Sequence, residues 1–424
     1  MRHWELRQMG RLLYVFLICA LAMSGCADQY TGPSGFGYPP TYNGQISPGV
    51  SLGASGSKSP NQRVAILLPL SGPRSDLGQL LLHAAQLALP EGQSPVLDVL
   101  DTAGTSDGAA AAAHQAVSHD DNMIIGPLTS AETASVAPVA RAANIPVLAF
   151  TNDVTQARPG VWPLGISPNQ QVRRLVAAAQ AQGHSQFAAL LPDSEFGKVM
   201  ASALSDALQA AGAPPVSIRF HSQNMASITG EVRDLADYVG RRGPIDSKIR
   251  SLKAEGTPDA RREILQLQKT PIPPAPFDTL LLADTGDGLQ EIAAILPYYD
   301  IDRSAVQVMG PNLWADASSG SAAVRGAWYA APDNTARGAF VAEFINRYGA
   351  APPPIADLSY DAAIIARFTS SASLTQHDGF VGSDGWIALL PDGHVRRGLA
   401  VFKVNGRGST VIDPPLAPSS SSGF

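Results

Sequence analysis

An alternation constrains this chain more than any other feature. From Arg63 to Asn152, short runs made almost wholly of Val, Ile, Leu and Ala take turns with longer runs of helical period. "RVAILLPLSGP" carries a strand at Val64–Leu68 that stops at Pro69, and "DLGQLLLHAAQLAL" follows it as a helix. "PVLDVLDT", "NMIIGP" and "IPVLAFTN" then read as strands, with "SDGAAAAAHQAVSHD" and "SAETASVAPVARAAN" as the helices between them. Strands this apolar have no face for water, so they belong to a parallel sheet covered by helices on both sides. The pattern restarts with the helix "SPNQQVRRLVAAAQAQG", the strand "QFAALLPD", the helix "EFGKVMASALSDALQAAG" and the strand "PVSIRF". It ends with "FDTLLLAD", "GDGLQEIAAILPYY", "AVQVMGP" and "GAWYAAP". Two such arrays of similar size predict an α/β chain with two open sheets. At 424 residues there is ample length for two lobes.

Between the restarted strands lies 241–276, "RRGPIDSKIRSLKAEGTPDARREILQLQKTPIPPAP", which holds much of the basic charge. It reads as an inserted charged helix bounded by Gly-Pro and a Pro-rich exit. It serves either as a solvated surface helix or as a docking element for a partner. The chain as a whole has 30 Lys and Arg against 36 Asp and Glu, a net charge of −6. That balance argues against nucleic acid as a main partner, because phosphate binding needs concentrated cations.

The two ends are different in kind. Arg2, Arg7 and Arg11 precede the apolar run Leu12–Met23, which is short of the ~20 residues of a spanning helix and suits a signal segment. The only cysteines, Cys19 and Cys26, flank its end. "LAMSGC" resembles a bacterial lipobox, which implies that residues 1–25 are a signal peptide and that Cys26 is acylated. An uncleaved anchor with incidental cysteines is the alternative. By the same resemblance, Ala27 after the cysteine favours sorting to the outer membrane. Residues 26–62, rich in Gly, Ser, Pro and Tyr, read as a flexible tether of roughly 30–35 Å average span. Residues 413–424 read as a disordered tail.

Catalytic signatures are missing. No G-x-G-x-x-G follows the first strand, and there is no phosphate-binding P-loop and no G-x-S-x-G elbow. Ser55-Gly-Ser-Lys58 spells S-x-x-K, but a Gly/Ser tether gives it no helix and its companion elements do not occur. His114 and His119, five apart on a helix, face different sides and make a poor metal pair. "DTGDG" at 284–288 lacks the ligand spacing of a calcium loop. The chain is therefore expected to be no enzyme and to need no metal or cofactor.

Open parallel sheets bind ligands at the carboxyl ends of their strands. There the sequence places Ser71-Gly72, Gly126–Ser130, Thr151-Asn152, Asp193 with Phe196-Gly197, and Asp284-Thr285. Such groups suit a small zwitterion, with hydroxyls, amides and helix N-termini on a carboxylate and an aspartate on an ammonium. They are equally ordinary helix caps, and both readings stand.

"VAILLPLSGPRSDLGQLLLHAAQLAL", "IIGPLTSAETASVAPVARAANIPVLAFTN", "ALLPDSEFGKVMASAL" and "FVGSDGWIALLPDGHVRRGLAVFKV" resemble type I periplasmic binding proteins of the leucine-binding kind. With the lipobox and the inserted segment, the chain is most similar to the penicillin-binding protein activator family of outer-membrane lipoproteins, the LppC/LpoA-like group. It lacks the long N-terminal helical-repeat domain of that family's best-known members. The resemblance implies a two-lobe clamshell of doubly wound parallel sheets with three crossovers. Lobe one would be 63–161 plus 333–378, and lobe two 162–332 plus a hairpin in 379–412. In amino-acid binders of this superfamily the positions matching Ser71, Ser130, Phe150, Thr151, Asn152, Phe196 and Asp284 line the cleft. The activator branch implies a lipid-anchored regulator on the periplasmic side of the outer membrane, contacting a class A penicillin-binding protein. The alternative is a tethered solute-binding protein that hands an amino-acid-like ligand to an ABC transporter.

Overall fold

A computed structural model describes residues 62–317, 322–333, 335–368, 373–376, 378–406 and 408–415. Cys26, the signal segment and the tether up to residue 61 lie outside the described residues.

The first array forms a five-stranded sheet in the order β2-β1-β3-β4-β5. Along the chain it runs β1 (Arg63–Leu68), α1 (Ser75–Ala88), β2 (Val96–Asp101), α2 (Ser106–Ser118), β3 (Ile124–Ile125), α3 (Ser130–Ala142), β4 (Val147–Ala149) and β5 (Val161–Pro163). All its pairings are parallel. Strand β1 explains why the sheet must be covered twice. Val64, Ile66 and Leu68 enter one core beside Leu81 and Ala85 of α1. Ala65 and Leu67 enter another, against Ala109, Ala112, Ala113 and Ala116 of α2. Alternate residues of a strand face opposite sides, so both sides are apolar. Strand β5, only three residues long, goes unnoticed in sequence. Trp162 secures it, buried in the first core with its indole N–H on the Leu390 carbonyl at 2.8 Å.

The second array builds a seven-stranded sheet in the order β15-β14-β10-β9-β8-β6-β7. Its sequence is α4 (Pro168–Ala181), β6 (Phe187–Pro192), α5 (Glu195–Ala210), β7 (Ser217–His221), α6 (Met225–Leu235), α7 (Tyr238–Glu255), α8 (Pro258–Leu267), β8 (Thr279–Leu282), α9 (Gly286–Ile295), β9 (Gln307–Gly310), the one-turn α10 (Trp314–Ala317) and β10 (Trp328–Pro332). The chain then returns to the first lobe as α11 (Arg337–Tyr348) and α12 (Ile355–Phe368), where Ala362, Ile365 and Ala366 join the first core. It next forms a small antiparallel sheet, β11 (Phe380–Gly382), β12 (Gly385–Leu389) and β13 (Val395–Arg397), and finishes as β14 (Leu399–Asn405) and β15 (Gly408–Asp413). Strand β14 adds to the second sheet antiparallel to β10.

Three expectations need correction. The segment 379–412 is not one hairpin of the second lobe. Phe380, Ile387 and Leu389 bury in the first core, and only β14 and β15 extend the second sheet. Polar bonds fix that placement. Asp361 of α12, fully buried, accepts the Ser383 N–H at 2.6 Å, the Ser383 hydroxyl at 2.8 Å and the Asp384 N–H at 3.0 Å. A Cβ at Gly382 would stand 2.3 Å from the Asp361 carboxyl carbon, so that close approach needs glycine.

Asp413 is the last residue of β15 and not part of a tail. Arg174 of α4 donates to Asp413 Oδ2 and to the Pro414 carbonyl, both at 2.8 Å, and so ties β15 to the helix. The insertion is two helices rather than one, and Gly243-Pro244 lies inside α7 instead of bounding it. Glycine before the proline has no Cβ to clash with the ring, which lets the helix continue. Gly256, at φ 65°, ends α7, and Thr257 caps α8 by accepting the Ala260 N–H at 3.1 Å. Arg241 is no docking charge. Its buried guanidinium donates to the carbonyls of Ala236, Pro273 and Tyr299 at 2.6–2.9 Å, so it anchors the insertion to its own lobe.

Candidate functional site

Three strand carboxyl ends in the second lobe, with the start of a helix, converge on one pocket of about 480 Å³. Strand β6 ends in Pro192, Ser194 and Phe196 follow at the start of α5, strand β7 ends in His221, strand β8 leads to Asp284, and the start of α9 adds Asp287 and Glu291. Local sequence puts them there. Ser194 caps α5 by accepting the Gly197 N–H at 3.2 Å, which turns the chain directly after β6. Gly197 is needed because a Cβ would lie 2.0 Å from the Pro192 carbonyl oxygen.

The chemistry at its base is a buried acid–base pair. His221 Nε2 stands 3.1 Å from Asp284 Oδ2, with side chains 0 % and 5 % exposed. The other ring nitrogen faces the Ser222 carbonyl at 3.2 Å, and the Asp284 backbone carbonyl accepts the Trp314 indole N–H at 2.9 Å. Burial pushes the imidazole down. The hydrogen bond and charge of Asp284, the Ser222 carbonyl and Glu231 more than offset it, so His221 titrates above its ordinary value. With both nitrogens facing oxygens, the ring is set up to hold a second proton. Asp284 thus has a hydrogen-bond partner from within the protein, and their contact favours the protonated ring. Asp287 and Glu291 leave the remaining lining acidic.

Of the residues picked out in sequence, Phe196 and Asp284 line this pocket and the first-lobe residues do not. Those residues are occupied among themselves. The Ser71 N–H donates to Asp101 Oδ1 at 3.2 Å, alongside the N–H groups of Leu70 and Ala103 at 2.8 Å. Burial raises the Asp101 carboxyl, but the Ser71 side chain and these three N–H donors outweigh it and hold it below the ordinary range. The Ser130 hydroxyl donates to Asp153 Oδ2. Thr151 is buried and its hydroxyl oxygen accepts the Asp153 N–H at 3.1 Å, while Asn152 is exposed. Phe150 is a core residue, in the same cluster as Leu148 two positions before it, because β4's alternation continues through residue 150. Sequence reading missed His221 and Asp101. The signal for both was position, since each is the last residue of a parallel strand.

A periplasmic-binding-protein family model matches residues 61–240. An uncharacterized protein of Rickettsia prowazekii is 24 % identical over 183 residues, which is 42 % of this chain and 49 % of that protein. The chain therefore spans about half the length of the curated relative it matches. Among solved structures, the C-terminal domain of LpoA from Haemophilus influenzae, described as a regulator of PBP1A, superposes with a TM-score of 0.60 at 16 % identity. That match covers 83 % of this chain and 100 % of the domain. Full-length LpoA from the same organism gives 0.60 at 17 % identity, again over 83 % of this chain but 59 % of its own length. A putative branched-chain amino acid ABC transporter protein from Rhodospirillum rubrum gives 0.61 at 18 % identity over 83 % of this chain and 100 % of its own. These structures are of binding and regulatory proteins. The architecture they share with this chain is the type I periplasmic binding protein fold.

Proposed function

We propose that this chain, a type I periplasmic binding protein fold, is a non-enzymatic regulator that activates a peptidoglycan synthase of the class A penicillin-binding type by direct contact. One observation carries the reading. The acid that an amino-acid binder would offer to a ligand ammonium, Asp284, is already paired with His221 inside the lobe. The likeness to the LpoA domain described as a regulator of PBP1A supports it. So does the α7–α8 hairpin, which exposes Arg250, Lys253, Arg261 and Arg262. In this reading Cys26 carries lipid in the outer membrane, the tether lets the body reach into the periplasm, and the hairpin is the docking face.

A second reading, a lipid-anchored solute-binding protein for small zwitterions that feeds an ABC transporter, draws on the pocket itself and on the Rhodospirillum rubrum likeness. One pair of measurements separates the two. Purified chain is added to a class A penicillin-binding protein while glycan polymerisation is followed, and its melting is screened against amino acids. Stimulation that is lost when Arg250, Lys253, Arg261 and Arg262 are changed to Glu, with no melting shift, is the expected outcome. A saturable melting shift abolished by Asp284→Ala, with no stimulation, sinks the regulator and establishes the solute binder.

A further inference from the structure

Toward the amino-terminal edge of the first sheet, three side chains distant in sequence come together. Asp98 in β2, His119 just past the end of α2, and Asp121 before β3 each offer one donor atom, and these atoms lie within 4.8 Å of one another. His119 Nδ1 is 2.6 Å from Asp98 Oδ2. The Asp121 side chain is 0 % exposed, and neither of its oxygens accepts a hydrogen bond. Its closest cation, Arg63 Nε, stands at 3.5 Å, beyond the usual N–H···O range, and the Arg63 Nη2 is engaged with Asp98 at 3.1 Å. A buried carboxyl in this state costs free energy unless a proton or a closer cation reaches it.

We infer that Asp98, His119 and Asp121 are a binding site for a divalent transition-metal ion of the zinc class, with water completing the shell. The donor set is one imidazole nitrogen and two carboxylates, which suits zinc and disfavours magnesium and calcium, whose shells are all oxygen. Zinc bonds of about 2.0–2.2 Å place neighbouring donors roughly 3.3–3.6 Å apart in a tetrahedral shell. The His119–Asp98 contact therefore opens by about 1 Å while the wider separations close. His119 can make that movement, since its side chain is 44 % exposed at a helix end. Arg63, 36 % exposed, can turn to solvent as the ion takes its place. The bound ion clasps the edge strand β2 to the α2–β3 turn. His119 reappears here with partners that strand pairing supplies, whereas His114 takes no part.

The test uses the full chain, stripped with a chelator and titrated with zinc chloride, with magnesium chloride as control. Expected are one zinc per chain, a rise of a few degrees in Tm at saturation, and no response to magnesium. His119→Ala and Asp121→Asn should each weaken zinc binding by at least about tenfold, since even outer-shell partners of metal ligands matter to that extent. His119→Ala decides the matter if Asp121→Asn fails to fold, because the His119 ring is partly exposed at a helix end and no part of the core. No zinc binding by the parent chain, equal binding of magnesium, or an unchanged zinc affinity in His119→Ala overturns the site.

Discussion

The two lobes place their buried charge in opposite ways. In the second, one acid and one base, Asp284 and His221, are paired at the strand ends and floor a pocket. In the first, the strand-end carboxylates Asp101 and Asp153 lie near solvent and are satisfied by neighbouring N–H and hydroxyl groups. Away from the strand ends, three buried acids of that lobe outnumber their cations. Asp357, Asp361 and Asp384 face two guanidiniums, with Arg337 Nε 2.6 Å from Asp357 and Arg397 Nη1 3.6 Å from Asp384. A balanced pair can stay ionised in the interior, whereas an excess of acid is relieved by keeping a proton. Loops rich in Ser and Thr are thus weaker pointers to a pocket than a buried pair of opposite charge.

The largest effect that can break this contrast comes from pH. Burial, and then the charge of Asp384, push the carboxyls of Asp357 and Asp361 up to about 7 and about 6. Burial raises Asp384 as well. The native state therefore binds protons that the unfolded chain has already lost above about pH 4, and unfolding free energy falls as pH rises from there to about 7. His221, raised above its ordinary value, acts with the same sign at higher pH. Below about pH 4 the lowered carboxyls of Asp101 and Asp153 act the other way, because protonating them costs stability. Urea midpoints should be higher near pH 5 than near pH 8, and the slope should flatten in Asp361→Asn. A midpoint equal or higher at pH 8 would remove the excess-acid description of the first lobe.

Next in size is His221→Ala. It strands Asp284 in a largely buried site and should cost about 2–3 kcal/mol in denaturant unfolding at neutral pH. Adding Asp284→Asn should recover part of that loss by removing the unpaired charge. Ser130→Ala is the smallest of the three. It deletes one hydrogen bond to Asp153, which keeps the Thr155 N–H and hydroxyl, and should cost about 1 kcal/mol or less. Equal costs for His221→Ala and Ser130→Ala would erase the difference between the lobes.

What the sequence by itself determined is what near neighbours settle. The apolar runs specify buried parallel strands, as β1 illustrates with both faces in a core. The capping boxes Thr129/Glu132 and Ser167/Gln170 start α3 and α4 three residues apart in the chain. The strand-end rule brought Phe196 and Asp284 forward, and both line the pocket. Tertiary structure decided the rest, because it joins groups that no local pattern relates. His221 meets Asp284 across 63 residues, Ser71 meets Asp101 across 30, and His119 meets Asp98 across 21. The split of 379–412 between two lobes was likewise beyond local reading. An alternating strand states only that one face is apolar, and the core that receives the face is chosen by packing. Here Asp361 and the first core held 380–397, while β10 took β14.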